Sequence, residues 1–253
     1  MGKLDNKTAL VTGSAHSIGK AIAIGLAKEG ANLVLADMDV DGLAKTAEEI
    51  EALGVKALPV ETNVLYNEQI EDLFTKAVEV FGTVDVLVNC AGVFNGGPVD
   101  ELAVETIDLV LGTNLRAPFL CTRAVFPIMK KQGGGRIINI GSISAQRPRM
   151  NSTPYSTAKA GLVGLTNATA LEGREYGINC GILHPGETDR DRVPQLPPGV
   201  TPPPGGFKRP GPLETMATDD LAAAAIYMAT CPPNINVLSL IQLPIQQPYL
   251  GRG

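Results

Sequence analysis

Histidine and cysteine, the usual anchors of a zinc site, are scarce in this 253-residue chain, which has two and four of them. Cys90, Cys121, Cys180 and Cys231 lie far apart, with neither CxxC spacing nor paired histidines beside them, which argues against a disulfide framework and a zinc site. They read as buried or partly buried free thiols. His16 and His184 lack acidic or thiolate companions at ligand spacing, so they read as local hydrogen-bonding residues and no metal is expected. Runs of Lys or Arg are also missing. A formal charge of -5 and a pI near 5.1 leave no electrostatic footprint for nucleic acid or an anionic membrane surface. The opening MGKLDNKTAL lacks the apolar core of a secretory signal. No apolar stretch approaches the roughly 18 residues that a membrane span needs, so a cytoplasmic protein is expected.

What is present is a rhythm. Short β-branched runs at residues 8–11, 33–36, 55–60, 84–88, 136–140, 179–183 and 235–243 alternate with helical patterns. Those patterns cover residues 18–29, 40–53, 68–80, 104–131 with a break, 154–176 and 219–229. This order predicts an α/β fold, a doubly wound sheet of about seven parallel strands with helices on both faces. At this length a single domain over residues 1–253 is expected. One segment breaks the rhythm. Residues 194–212, PQLPPGVTPPPGGFKRPGP, hold eight of the 19 prolines, which excludes a helix or an interior strand. Because it follows the sixth strand on the ligand side of such a sheet, a lid at about residues 189–215 is expected, with a solvated linker as the alternative.

Two further stretches carry chemistry. Residues 12–19, TGSAHSIG, join the first strand to the first helix, where backbone N–H groups and the positive helix terminus suit a pyrophosphate. Gly13 supplies the turn and Gly19 the close helix–strand approach, while Ser17 stands where a third glycine belongs and can cap the helix or reach a phosphate. Asp37, eighteen residues beyond Gly19 at the end of the second strand, suits adenine-ribose hydroxyls and would repel a 2′-phosphate. No Arg or Lys stands at positions 14–18 or 36–39 to offset it, so NAD is favoured over NADP. Asp39 reads as a helix cap and Asp41 as solvated. In STPYSTAKAG, residues 152–161, Thr153 can cap and Pro154 open a helix that puts Tyr155 and Lys159 on one face. A tyrosine hydroxyl beside an ammonium can exchange a proton. The fifth strand, GRIINI, ends at Gly141 and Ser142, which brings a hydroxyl to the same sheet edge.

Together these residues resemble the short-chain dehydrogenase/reductase family over nearly the whole chain. The ordered motifs are TGSAHSIG, the NCAG of residues 89–92, Asn114 in GTNLRAPF, Ser142 in INIGSIS, Tyr155-x-x-x-Lys159, and the HPG of residues 184–186. The resemblance implies a Rossmann-like domain binding NAD(H), with Tyr155 as general acid/base and Ser142 hydrogen-bonded to the substrate oxygen. Lys159 would hold the nicotinamide ribose and favour the Tyr155 phenolate, and Asn114 would hold a water in a proton relay. Hydride transfer at an alcohol carbon needs such a proton-exchanging group and donors for the developing alkoxide. Cofactor contacts are expected at Gly13, Ser17, Ile18, Gly19, Asp37, Asn63, Val64, Asn89, Ala91, Gly92, Tyr155, Lys159, Pro185, Gly186 and Thr188. Three positions depart from the family pattern. Asn63 stands where an aspartate is frequent, Cys90 replaces the second Asn of NNAG, and Arg190 occupies the place of a threonine, leaving Thr188 to take part of that contact.

The expected reaction interconverts a secondary alcohol and a ketone; the alternatives are a 3-oxoacyl thioester reductase and a non-catalytic NAD-binding sensor. Arg147 should rim the substrate pocket with Ser142 and Tyr155. With Arg149, Arg190, Arg192, Lys208 and Arg209 it suggests an anionic substrate, although ordinary pairing with Glu187, Asp189 and Asp191 is preferred. Small residues at Ala158, Gly161, Gly164 and Ala168 permit close helix contact, and the resemblance implies a homodimer or homotetramer through this helix. Within one chain, the same residues could instead pack on the sheet.

Overall fold

Each apolar run becomes a strand of one sheet in the computed structural model, which describes residues 2–189 and 215–249. The strands are β1 (Thr8–Thr12), β2 (Asn32–Asp37), β3 (Ala57–Glu61), β4 (Val86–Asn89), β5 (Gly135–Ile140), β6 (Ile178–Pro185) and β7 (Ser239–Gln242). They pair in the order β3-β2-β1-β4-β5-β6-β7, and every pair is parallel. The chain first steps outward from β1 to β3, then returns to lay β4 against the other side of β1. That reversal opens a crevice beyond the C-terminal ends of β1 and β4, where ligands of such sheets bind.

The strands are apolar throughout because both faces are covered. On one face Ala9, Val11, Leu33, Leu35, Val88 and Ile138 pack under α1 (Ser17–Lys28), α2 (Val40–Glu51) and α7 (Thr218–Thr230). On the other, Leu10, Val34, Leu87 and Ile137 meet α3 (Asn67–Phe81) and α5 (Ala117–Gln132). Burial of each Leu or Ile in these layers contributes about 2 kcal/mol. Cys121 and Cys180 are buried in the second layer, where burial pushes each thiol up to about 12, whereas Cys90 and Cys231 are only partly buried.

Five local expectations are corrected. The break within residues 104–131 is a π-helical turn, Gly112–Arg116, that joins α4 (Val104–Leu111) to α5 without interruption. An inserted residue of this kind re-aims side chains, and Thr113 and Asn114 lie in it. The last strand is shorter than expected because residues 232–235 close a turn, with the Ile235 N–H donating to Pro232 O at 2.9 Å. β3 begins at Ala57, later than expected. Helix α6 (Thr153–Gly173) starts one residue early, with Ser152 as its cap residue. The Ser152 hydroxyl turns back to Arg149 O at 2.6 Å and makes no cap bond. In α1 the cap residue is His16; Ser17 is the first helical residue and caps nothing. The expected lid lies almost wholly outside the described residues.

Candidate active site

The crevice is stitched together by one hydroxyl. Thr12 Oγ1, at the end of β1, accepts the N–H groups of Cys90 and Ala91 at 3.1 Å each, which fixes the loop that follows β4. Gly13 turns beside it at φ +70°, and a Cβ there would lie 2.8 Å from Ala91 Cα. A Cβ on Gly19 would lie 2.0 Å from Gly13 O, so α1 approaches β1 as closely as bare backbone allows. The space left above is a cavity of about 610 Å³, within the range of small-molecule and cofactor sites.

At one end of this cavity Asp37 is held by three donors. Its Oδ2 accepts the Ala15 N–H at 3.1 Å, and its Oδ1 accepts those of Met38 at 2.8 Å and Asp39 at 3.1 Å. Asp39 caps α2 through Gly42 N–H at 3.0 Å and meets His16 Nε2 at 2.5 Å, as the cap reading anticipated. Ser17 lines the same end at φ +49°, with its Oγ buried and without a hydrogen-bond partner.

At the other end Tyr155 and Lys159 sit one turn apart on α6, 9% and 5% exposed. Lys159 Nζ donates to Ile140 O at 2.7 Å and stands 5.6 Å from the Tyr155 ring centroid. Phe94 packs edge-on against that ring with centroids 4.8 Å apart. Asn114 projects from the π turn; its Nδ2 donates to Val93 O at 2.8 Å and Val110 O at 3.0 Å, and its Oδ1 is buried with no partner. Ser142 caps a 3-10 turn, Ile143–Ala145, its Oγ accepting the Ser144 N–H at 3.1 Å and keeping its own proton to donate. His184 is buried against Ser142 with Nδ1 2.9 Å from Ser142 O. Burial, and then the charge of Lys159, push its pKa down, against the opposing pull of the bond to Ser142.

The cavity gathers most of the residues singled out in the sequence: Gly13, Ser17, Ile18, Gly19, Asp37, Val64, Ala91, Gly92, Asn114, Tyr155, Lys159 and Pro185 all line it. Seven others do not line it. Asn63 Oδ1 folds back onto the Leu65 N–H at 3.0 Å. Asn89 donates to Asn139 Oδ1 at 2.8 Å, and Asn139 in turn donates to Thr166 Oγ1 at 2.9 Å, so this pair ties β4 and β5 to α6. Ser142 is beside the lining at the end of β5. Arg147 lies over the Tyr249 ring, 5.5 Å from its centroid, and Arg149 is ion-paired with Glu187, which fits ordinary pairing better than a cationic rim. Gly186 backs onto Gln247 Oε1, which a Cβ would meet at 2.2 Å, and Thr188 donates to Gly186 O at 3.2 Å. Arg190, Arg192, Lys208, Arg209 and Asp191 lie outside the described residues. The sequence reading missed Phe94 and Thr113, which also line the cavity. The apolar pair directly after NCAG was the available signal for Phe94; Thr113 depended on the π turn.

The cavity runs from a fixed carboxylate past two glycines whose Cβ positions are filled by backbone, and it ends at a Tyr–Lys pair. Unpaired polar atoms on Ser17 and Asn114 remain for a ligand or water, so these residues fit a nicotinamide dinucleotide. Comparison with known proteins agrees. The short chain dehydrogenase family profile matches residues 7–199. The chain is 35% identical over 194 residues to subunit BbsD of a hydroxy(phenyl)methylsuccinyl-CoA dehydrogenase from Thauera aromatica, covering 77% of this chain and 78% of that one. It is 33% identical over 195 residues to the 3-oxoacyl-(acyl-carrier-protein) reductase FabG of Thermotoga maritima, covering 77% and 79%. Among solved structures, an alcohol dehydrogenase from Thermococcus sibiricus complexed with 5-hydroxy-NADP superposes with a TM-score of 0.83 at 27% identity, covering 96% of this chain and 98% of that one. Among the described residues, no helix is long and apolar enough to cross a membrane.

Proposed function

The chain belongs to the short chain dehydrogenase family, and from there we propose that it is an NAD(H)-dependent oxidoreductase interconverting a secondary alcohol and a ketone. One observation carries this reading: Tyr155 and Lys159 share the buried end of a dinucleotide-sized cavity with the unpaired Oδ1 of Asn114. When bound, the nicotinamide gives or takes the hydride. Tyr155 exchanges the substrate hydroxyl proton, and Ser142 donates its own proton to the same oxygen as charge develops there. Lys159, steadied by its bond to Ile140 O, would hold the nicotinamide ribose. Asn114 Oδ1, left unpaired, would accept from a water that relays protons between solvent and the Lys159–Tyr155 pair.

Gly13, Ser17, Ile18 and Gly19 would cradle the pyrophosphate, Val64, Ala91 and Gly92 the adenosine, and Pro185 the nicotinamide. Asp37 would take the ribose hydroxyls. Its fixed negative charge supports NAD over NADP, since a phosphate about 4 Å from a carboxylate near the surface is opposed by about 4 kcal/mol. The thioester readings of the BbsD and FabG relatives favour a second substrate class, a 3-oxoacyl thioester, on the same catalytic groups. Residues 1–253 are taken as one catalytic domain, assembling as a homodimer or homotetramer through α6, where Gly164 and Ala168 stay exposed.

The test follows reduced-nicotinamide absorbance with NADH and NADPH against acetoacetyl-CoA and a panel of neutral and carboxylated ketones. The expected result is a preference for NADH of about tenfold or more in kcat/KM, a difference worth about 1.4 kcal/mol. Faster turnover with NADPH overturns the Asp37 argument. Tight NADH binding without turnover of any ketone would identify a sensor instead. Light scattering of the purified chain checks the assembly.

A further inference from the structure

We infer that His184 is a positioning residue for Ser142: its buried imidazole ends the ladder between β5 and β6 and fixes the peptide that carries the Ser142 hydroxyl. The inference deepens the catalytic reading of Ser142 and rests on it. The paired register of the two strands ends at Ile140 opposite Leu183, followed by one bond from Gly141 N–H to Leu183 O at 2.7 Å. At the next position β6 continues alongside β7, with His184 opposite Ile241. The peptide groups of Ser142 therefore have the His184 side chain where a strand partner would stand. Nδ1 lies 2.9 Å from Ser142 O and 3.3 Å from Ser142 N, and the residue is 2% exposed.

A neutral imidazole nitrogen either donates or accepts. The Ser142 N–H also points at Nδ1, so only one of the two bonds forms at a time; the shorter contact is to the carbonyl, and that bond needs the proton on Nδ1. Gly141 makes the arrangement possible, because a Cβ there would lie 2.6 Å from His184 Nδ1 and 2.9 Å from Ile182 Cγ1. Lys159 holds Ile140 O from the cavity side while His184 holds Ser142 O, so the Gly141 link between them is clamped at both ends. With its carbonyl fixed and its Oγ tied to the Ser144 N–H, Ser142 has little freedom left to turn its hydroxyl away. A displacement of about 1 Å in a group that orients substrate can cost about a hundredfold in rate.

The chain has only two histidines, so imidazole ¹⁵N NMR of the full protein can be read directly, with His16→Asn identifying the second set of signals. At about pH 7.5 the expected spectrum shows a protonated Nδ1 and an unprotonated Nε2 for His184. A proton on Nε2 instead overturns the bond to Ser142 O, because Nδ1 could then only accept the Ser142 N–H. The kinetic arm measures NADH-dependent reduction of acetoacetyl-CoA and ethyl acetoacetate. His184→Asn places an amide nitrogen where Nδ1 stands, His184→Gln places one where Nε2 stands, and His184→Leu supplies none. The expected pattern is a kcat lowered about tenfold or more in the Gln and Leu variants and within about threefold of wild type in Asn, with NADH Kd unchanged throughout. Full activity in Leu, or equal losses in Asn and Gln, overturns it. If Leu does not fold, the Asn and Gln comparison decides. If the wild-type protein reduces neither ketone, the catalytic reading fails there, and the NMR result still decides the tautomer and the contact.

Discussion

The two ends of the cavity are built on different terms. At the Tyr155 end the groups around the tyrosine are tied to protein, Lys159 to Ile140 O, Ser142 to Ser144 and His184, and Asn114 Nδ2 to two carbonyls, with Asn114 Oδ1 left unpaired. At the phosphate end, backbone pressed against backbone at Gly13 and Gly19 leaves Ser17 in a left-handed conformation with its hydroxyl unpaired. Proton exchange needs groups held to within fractions of an ångström, so that end is fixed in advance. Binding a pyrophosphate needs donors and room, so the other end is tight where the backbone packs and loose where a ligand would sit.

The comparison breaks most visibly at Tyr155. Tyr155→Phe keeps the ring against Phe94 and removes only the hydroxyl, so kcat should fall by about 10²–10⁴ while NADH Kd and Tm stay at wild-type values. Steady-state kinetics beside a binding titration checks this. A variant retaining near-normal kcat would remove Tyr155 from proton exchange.

At the other end the largest change comes from adding one carbon. Gly19→Ala drives a Cβ to 2.0 Å from Gly13 O, a backbone atom that cannot move without dragging the turn with it. A loss of about 1–3 kcal/mol in stability and weaker NADH binding are expected. Denaturant melts and an NADH titration of the variant beside wild type check both.

His184 gives the comparison a pH dependence. Burial and the charge of Lys159 hold its pKa below the ordinary 6.5, so the folded chain binds fewer protons here than the unfolded chain. Stability from this group is fully present above about pH 6.5 and is lost as pH falls through the folded value. Thermal melts between about pH 8 and pH 5 should therefore show a steeper acid loss in wild type than in His184→Asn. Parallel curves would mean that His184 takes up its proton equally in the folded and unfolded chain.

Much of this was legible in the sequence, because strands buried on both faces write themselves as short apolar runs and the site sits at their C-terminal ends. Asp37, Tyr155 and Lys159 fall where spacing places them. Two kinds of feature were not legible. The π turn around Asn114 depends on α4 and α5 running as one helix, which local propensity read as a break. Side-chain partners across strands are equally invisible to a linear pattern. Asn89 faces Asn139 from fifty residues away and Ser142 meets His184 from forty-two, so Asn89 read as a cofactor contact and His184 as a hydrogen-bonding residue with no partner named.

The smallest expected effect on stability concerns the residue that most looks like a defect. A left-handed backbone costs an ordinary L-residue about 1–2 kcal/mol, and Ser17 sits at φ +49° with a buried, unpaired Oγ. Ser17→Gly removes both penalties and adds back the extra freedom of glycine in the unfolded chain, so a net gain of about 0.5 kcal/mol is expected, or roughly 1–2 °C in Tm. NAD+ affinity should move the other way, weakening about tenfold or more, since a hydrogen bond to a charged phosphate is worth about 1.5–3 kcal/mol net. Melting curves and calorimetric titration on the same samples separate the two effects. Higher Tm with unchanged affinity would make Ser17 an uncompensated strain; higher Tm with weaker binding would make that strain part of how the phosphate end holds its ligand.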